Sequence, residues 1–416
     1  MKHILGVRPM DLVQSPLEFV TSATPEHPVA VARPHRVKAA ARWFVERFPG
    51  QVFYAVKANP SLWALDALWA GGVRGFDVAS EAEVKLVGER FPEARIAFMH
   101  PVKSRRAIRT AYRDYGVRIF ALDSVDELEK IIAETGGAKD LTLIVRMAVS
   151  NEGASYPLIQ KFGAAPAEAP ELLRRARQAT EEIMGVSFHV GSQCMRPLAY
   201  KTAMLEVNRA IIAAGVVVDV VDIGGGFPAI YPEMNPAPLQ AYMGEIAEGF
   251  EQMYVAQNAQ LWAEPGRALV AEAGSIVARV ELRKGDALYL NDGGYGNLFD
   301  AAHVNWKFPV KLLRAKASRA KLAPFRFYGP TCDSLDAAAG PFLLPADIRE
   351  GDYIEIGMLG AYSTSIATHF NGFGETVTVE AKDAPWPTLF AQPGEAAPAA
   401  HVVSLEQRRR SRRPRK

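Results

Sequence analysis

From residue 53 onward, short apolar runs alternate with amphipathic stretches, the pattern of a parallel sheet covered by helices. The runs are "FYAVK" (53–57), "GFDVAS" (75–80), "RIAFMH" (95–100), "RIFALD" (118–123), "LTLIVRM" (141–147), "GVSFHVGS" (185–192), "VVDVVDIGGG" (217–226) and "QLWAEPGR" (260–267). Eight strand-and-helix repeats at this spacing suit an α/β fold closed into a (β/α)8 TIM-like barrel, which takes ~250 residues. An open doubly wound sheet gives a similar alternation, so the count alone leaves both in play. The run ends add more. They finish in Lys57, Asp77 with Ser80, His100, Asp123, Arg146, His189 with Ser192, Asp222 before three glycines, and Glu264 with Arg267. In a barrel these converge on one mouth. Strand ends that merely meet solvent are also polar, which accounts for some of them but not for this set of types.

After about residue 268 the texture changes to strand-like segments with turn signals: "GSIVARVELRKGDALYLNDGGYG", "FRFYGPTCDSLD" and "REGDYIEIGMLGAYS". The expected organisation is a segment 1–27 joining a β domain, a barrel over 28–267, and the β domain itself, a sandwich or barrel, over 268–383. A flexible Pro/Ala- and Arg-rich tail is expected over 384–416. Within the first segment, "SPLEFVTSATPEHP" reads as extended and proline-rich.

Composition narrows the class. The chain has 416 residues, 49% hydrophobic and 23% charged, enough apolar material for two domains. The formal net charge is +2, but seven positive charges (Arg408, Arg409, Arg410, Arg412, Arg413, Arg415 and Lys416) crowd the last nine positions. Removing those seven from +2 leaves −5 for the body, which offers no nucleic-acid footprint. The arginine run has no interleaved aromatic residue and reads as a solvated extension. Cys194 and Cys332 are too few for a disulfide framework and lack metal-site spacing, so no metal is expected. No stretch reaches the ~20 apolar residues of a membrane span, and a cytoplasmic protein is the expectation.

The chemistry begins with Lys57, which ends an apolar run where burial of its ammonium would be costly unless something uses it. Gly224, Gly225 and Gly226 in "DIGGGFP" would let backbone N–H groups approach a phosphate, though a tight turn reads equally well. In "EPGR", Arg267 can pair with the same phosphate, and Glu264 supplies a carboxylate beside it. A lysine, a phosphate anchor and an acid for a pyridinium nitrogen are what pyridoxal phosphate requires.

At this point the sequence resembles the alanine-racemase-like pyridoxal-phosphate enzymes (fold type III), and within them the ornithine/diaminopimelate decarboxylase family, over about residues 28–380. The motifs are "FYAVKANP", "GFDVASEAE", "SFHVGSQC", "DIGGGFP", "EPGR", "YGPTCDSLD", "GAYS" and "FNGFG". The resemblance implies that Lys57 binds the cofactor covalently and that His189 stacks on its ring, although a core histidine is the plainer reading of His189 alone. It places Asp77, Arg146 and Ser192 around the cofactor. Gly224, Gly225, Gly226, Arg267 and Tyr362 would hold the phosphate, and Glu264 the ring nitrogen; Tyr362 could also be ordinary packing. Alanine racemases carry an arginine at the position of Glu264, so loss of CO2 is favoured over racemisation.

The resemblance further implies that Cys332 returns a proton to the α-carbon, where a lone cysteine is otherwise a structural one. It implies that Cys332 and Asp333 reach the site from a partner subunit, so that the working unit is a homodimer. Cys-Asp rather than Cys-Glu at 332–333 resembles ornithine and lysine decarboxylases, which points to a basic L-amino acid, ornithine before lysine, with putrescine or cadaverine as the polyamine product. Asp300, Phe370 and Asn371 are further substrate-binding candidates, Asp300 as the acid nearest the distal amine. "GSQ" (191–193) is similar to the diaminopimelate branch, which keeps diaminopimelate, arginine and carboxynorspermidine as alternatives. A non-catalytic, decarboxylase-like regulatory binding protein is the alternative from another class.

Overall fold

The computed structural model of the protein describes residues 10–158 and 161–390. Eight parallel strands, Gln51–Ala55, Gly75–Val78, Arg95–Phe98, Ile119–Leu122, Thr142–Arg146, Met184–Ser187, Val220–Asp222 and Gln260–Ala263, form a closed barrel in chain order. Closure comes from the last strand meeting the first, with Trp262 opposite Gln51 and Ala263 opposite Val52. That pairing excludes the open sheet. Each barrel strand overlaps one of the eight apolar runs, with Gln51–Ala55 and Met184–Ser187 starting one or two residues earlier.

Alternation along the strands sends side chains in turn inward and outward. Inside the barrel, Phe53, Ala97, Met99, Ile119, Ala121, Ile144, Val220 and Trp262 form a buried cluster, with the Phe53 and Trp262 rings 4.7 Å apart. Their neighbours Val52, Tyr54, Phe76, Val78, Phe98 and Phe120 face outward into the larger core under the helices. Burying a side chain of this size stabilises the fold by about 1.5–3 kcal/mol. Three of the helices start on serines just past strand ends. Ser80, Ser104 and Ser124 accept from the N–H groups of Glu83, Ala107 and Glu127 at 3.2, 3.1 and 3.2 Å. Each serine satisfies one of the free N–H groups that a helix start leaves, so the chain can turn within a few residues of the strand end.

The β domain is a nine-stranded sheet organised on the long strand Gly274–Lys284. The first half of that strand pairs with Val29–Ala32 and Tyr353–Ile356, and the second half with Ala287–Leu290. The chain therefore crosses from sheet to barrel after residue 32. Val29–Ala32, which the sequence pattern assigned to the barrel segment, pairs on its other edge with Val377–Ala381. Nothing in its four apolar residues distinguishes a sheet strand from a barrel strand.

Two further expectations change. Residues Pro16–Ala23, read as extended, are helical. Pro16 occupies the first turn, where its missing N–H would be unpaired anyway, and Thr24 ends the helix in the left-handed region at φ 42°. The expected tail is packed over its first residues. Trp386 and Phe390 are buried, and the Phe390 ring lies 5.5 Å from that of Trp43. Just before them, Asp383 binds the buried Arg33 at 2.8 Å. Two large aromatics gain more by burial than the segment's lost periodicity suggests. The rest of the expected tail, 391–416, lies outside the described residues. Among the described residues no helix is long and apolar enough to cross a membrane.

Candidate active site

The barrel mouth gathers the polar strand ends. Lys57 sits in a single helical turn, Val56–Ala58, directly after the first barrel strand. That turn is held on three sides. Tyr54 Oη donates to Asn59 O at 3.0 Å, Asn59 Nδ2 donates to Gly360 O at 2.9 Å, and Tyr362 N–H donates to Ala58 O at 2.9 Å. The last two bonds come from the β domain side, so Lys57 is fixed where the two domains meet. Its Nζ donates to Asp77 Oδ2 at 2.6 Å. Burial alone would pull the lysine down, but the charges of Asp77 and Glu264 outweigh it and leave the ammonium held above its ordinary range.

His189 follows the sixth barrel strand. Its Nδ1 accepts from Gly191 N–H at 3.0 Å, so the proton of the neutral ring belongs on Nε2. Burial, together with the charges of Arg146 and Lys57, lowers its pKa to about 3, and the ring is neutral across the physiological range. A Cβ on Gly225 would stand 3.2 Å from that Nε2 and 2.6 Å from Glu264 O, and one on Gly224 would meet Phe188 O at 2.2 Å. Gly224 and Gly226 also take positive φ, 68° and 96°. Side chains at Gly224 and Gly225 would collide with neighbouring backbone, and the positive φ of Gly224 and Gly226 favours glycine there.

Glu264 follows the last barrel strand. Its Oε1 is buried without a hydrogen-bond partner. Burial and the neighbouring Asp222 and Asp77 push its carboxyl well above the ordinary range. Asp222, whose carboxylate accepts from Gly224 N–H at 2.8 Å, is itself pushed up to about 7, chiefly by burial. Burial and like-charged neighbours disfavour the ionised form of both acids. Arg267 carries the opposite charge. Its Nη1 donates to Tyr231 Oη at 3.0 Å and to Asp300 Oδ2 at 3.2 Å, and its Nη2 reaches Ser192 Oγ at 3.5 Å. Trp306 and Tyr362 lie against the guanidinium, 4.6 and 4.8 Å from its carbon, and its Nε is buried with no partner. Arg146 ends the fifth strand with its guanidinium over Phe162 at 5.5 Å.

Asp300, expected near a distal amine, is mostly buried and ion-paired to Arg267. Its short helix, Phe299–His303, turns it toward the arginine end of the mouth, and nothing in the linear order could have revealed that. Cys332, Asp333, Phe370 and Asn371 form a second group on the β domain. The Cys332 thiol, exposed, donates to Asn371 Oδ1 at 3.4 Å. Asp333 accepts from Tyr295 Oη at 2.5 Å and from Leu335 N–H at 3.0 Å. The Phe370 ring lies tilted against Tyr295, 4.9 Å away. Among the described residues no hydrogen bond or ion pair joins this group to Lys57, Glu264 or Arg267. Sequence reasoning passed over Tyr295, Tyr231 and Trp306. All three lie in quoted or neighbouring segments, but only their contacts mark them out.

Residues 35–271 match the pyridoxal-binding domain of the pyridoxal-dependent decarboxylases. The chain belongs to that family. A lysine/ornithine decarboxylase of Selenomonas ruminantium is 34% identical over 342 residues, which cover 80% of this chain and 84% of that protein. The arginine decarboxylase of Paramecium bursaria Chlorella virus, solved with agmatine, superposes with a TM-score of 0.78 at 28% identity, covering 87% of this chain and 98% of the other. A lysine/ornithine decarboxylase of Vibrio vulnificus, solved with cadaverine, gives 0.76 at 29% identity, covering 89% and 100%. The protein is a pyridoxal-phosphate-dependent amino-acid decarboxylase of fold type III. Its residues fit the cofactor: Glu264 Oε1 and Arg267 Nε are buried without partners at the barrel mouth, beside glycines that leave no room for a side chain.

Proposed function

We propose that the protein decarboxylates a basic L-amino acid, ornithine before lysine, to putrescine or cadaverine, and so supplies polyamine synthesis. The observation that carries the choice of substrate is Asp333, a carboxylate with no ion-pair partner among the described residues, next to the exposed Cys332. An unmatched anion of this kind suits a distal ammonium. The substrates and products named in the relatives support the basic class. The arginine decarboxylase superposition favours arginine as the second reading.

In this reading Lys57 is the covalent attachment point, and Asp77 keeps its Nζ in place. Arg267, Ser192, Tyr362 and the backbone of Gly224, Gly225 and Gly226 would hold the phosphate. His189 would pack a flat neutral ring against the cofactor, with Arg146 contributing positive charge nearby. Bound pyridoxal phosphate supplies the electron sink for the pair left by departing CO2. Glu264, a carboxylate beside the ring nitrogen, would keep that nitrogen protonated. Cys332 Sγ returns a proton to the α-carbon, and Phe370 and Asn371 flank it.

The thiol and Asp333 serve the site of a second copy, which makes the working unit a homodimer with two-fold symmetry. Exposed Phe370, Phe373 and Leu335 around the loop would be covered in that arrangement. The deciding experiment assays CO2 release from ornithine, lysine, arginine and diaminopimelate side by side. Ornithine should lead, with lysine next. A preference for diaminopimelate would remove Asp333 from its assigned place, a preference for arginine would select the second reading, and sedimentation as a monomer at full activity would remove the shared site.

A further inference from the structure

The hydrogen bond from Tyr295 to Asp333 belongs to a larger construction. Two loops, residues 291–297 and 329–336, are tied to one buried carboxylate. Asp336 accepts from Gly294 N–H at 2.6 Å through Oδ1, and from Thr331 N–H and Oγ1 at 3.0 and 2.7 Å through Oδ2. Gly293 and Gly329 leave it room, because a Cβ on either would come within 2.1 Å of Asp336 Oδ1. Tyr295 is fixed in its turn. Its carbonyl accepts from Thr368 N–H at 2.8 Å, and its ring lies 4.9 Å from Phe370 and 6.1 Å, edge-on, from His303. The phenol and Asp333 are therefore carried on one rigid frame.

An aspartate at a surface ordinarily samples several rotamers. Asp333 does not have that freedom. Oδ1 takes the Leu335 N–H and Oδ2 takes the Tyr295 hydroxyl, which leaves the outward lone pairs of both oxygens open. Charge around it is sparse: His303 is the nearby basic group, and Asp336 lies behind Tyr295. We propose that Tyr295 is a positioning residue for substrate selection, fixing Asp333 as an anion at one set reach so that the enzyme measures the length of a diamino acid. A carboxylate free to swing would follow the ammonium of either ornithine or lysine. One pinned between two donors rewards only the chain that ends where it stands. This inference rests on the reading that Asp333 faces the distal ammonium.

The test compares Tyr295→Phe, Asp333→Asn and the double variant as holoenzymes, with L-ornithine and L-lysine as substrates. Phenylalanine keeps the ring packing and removes only the hydroxyl. Tyr295→Phe should raise KM for the preferred substrate about tenfold, leave kcat within about twofold, and pull the ratio of the two kcat/KM values toward one. Adding it to Asp333→Asn should change nothing further, since the hydroxyl then has no anion to hold. Wild-type KM and selectivity in Tyr295→Phe, with Asp333→Asn impaired, would overturn the inference and leave the proposed function standing. Unchanged kinetics in Asp333→Asn would sink both. Should Tyr295→Phe lose its cofactor absorbance, the same ratio is read on protein carrying 3-fluorotyrosine at 295, below the fluorophenol's own pKa. A stronger donor there should sharpen selectivity, and an unaltered ratio would overturn the inference.

Discussion

The mouth of the barrel crowds its ionisable groups against one another, with Asp77, Asp222 and Arg267 buried and Lys57 half-exposed, whereas the loop bearing Cys332 and Asp333 keeps its own at the surface, each held by one or two hydrogen bonds. The difference is visible in their protonation. At the mouth, burial and crowding hold Glu264 and Asp222 up and His189 down. On the loop, Asp333 is held below the ordinary range by the Leu335 N–H and the Tyr295 hydroxyl, with little burial to oppose them. One region is tuned by the fold that encloses it. The other is only pre-aimed, and becomes desolvated when something covers it.

Substitutions can break or sharpen this contrast, and the largest effect belongs to the mouth. Lys57→Ala should abolish nearly all turnover together with the borohydride-sensitive absorbance band; a band that survives would show the cofactor attached elsewhere. Cys332→Ala should keep the band yet slow or misdirect protonation, with a loss of up to about 10²-fold, the lower end for a positioned proton donor. Wild-type rate with amine as the only product would deny the thiol its role. Asp333→Glu should weaken use of ornithine by about 1–3 kcal/mol in kcat/KM, since an added methylene crowds the pocket. Unchanged kinetics would remove Asp333 from selection.

A pH slope in stability gives a further test. The His189 pKa is about 3 in the folded chain against 6.5 ordinarily. The unfolded chain gains a proton as pH falls through 6.5 while the folded one does not, so this stability is complete above 6.5 and is lost progressively toward pH 3. Urea titrations of wild type and His189→Asn should diverge across that window by no more than about 1.4 kcal/mol per pH unit. Parallel curves would mean that the ring is solvated.

Much of this was legible in the chain. The eight apolar runs became the eight barrel strands, because alternation and run length report strand burial directly. Lys57, Asp77, His189, Glu264 and Arg267 were marked by standing at run ends, and the barrel collects run ends at one mouth. The helix at Pro16–Ala23, the sheet strand Val29–Ala32 and the packed Trp386 and Phe390 were not legible, since each depends on a partner far away in sequence.

What the sequence determined by itself is the alternation of strand and helix, the ordered polar residues at the strand ends, and the motif set that identifies the family. These are local properties: side-chain periodicity follows from backbone geometry within a few residues. What only the tertiary structure decided is which acid meets which base. Asp300 stands 3.2 Å from Arg267 and Tyr295 stands 2.5 Å from Asp333, the latter pair 38 residues apart in the chain. Hydrogen bonds and charge pairs act over a few ångströms, and chain order fixes no such distance until barrel and sheet have folded together.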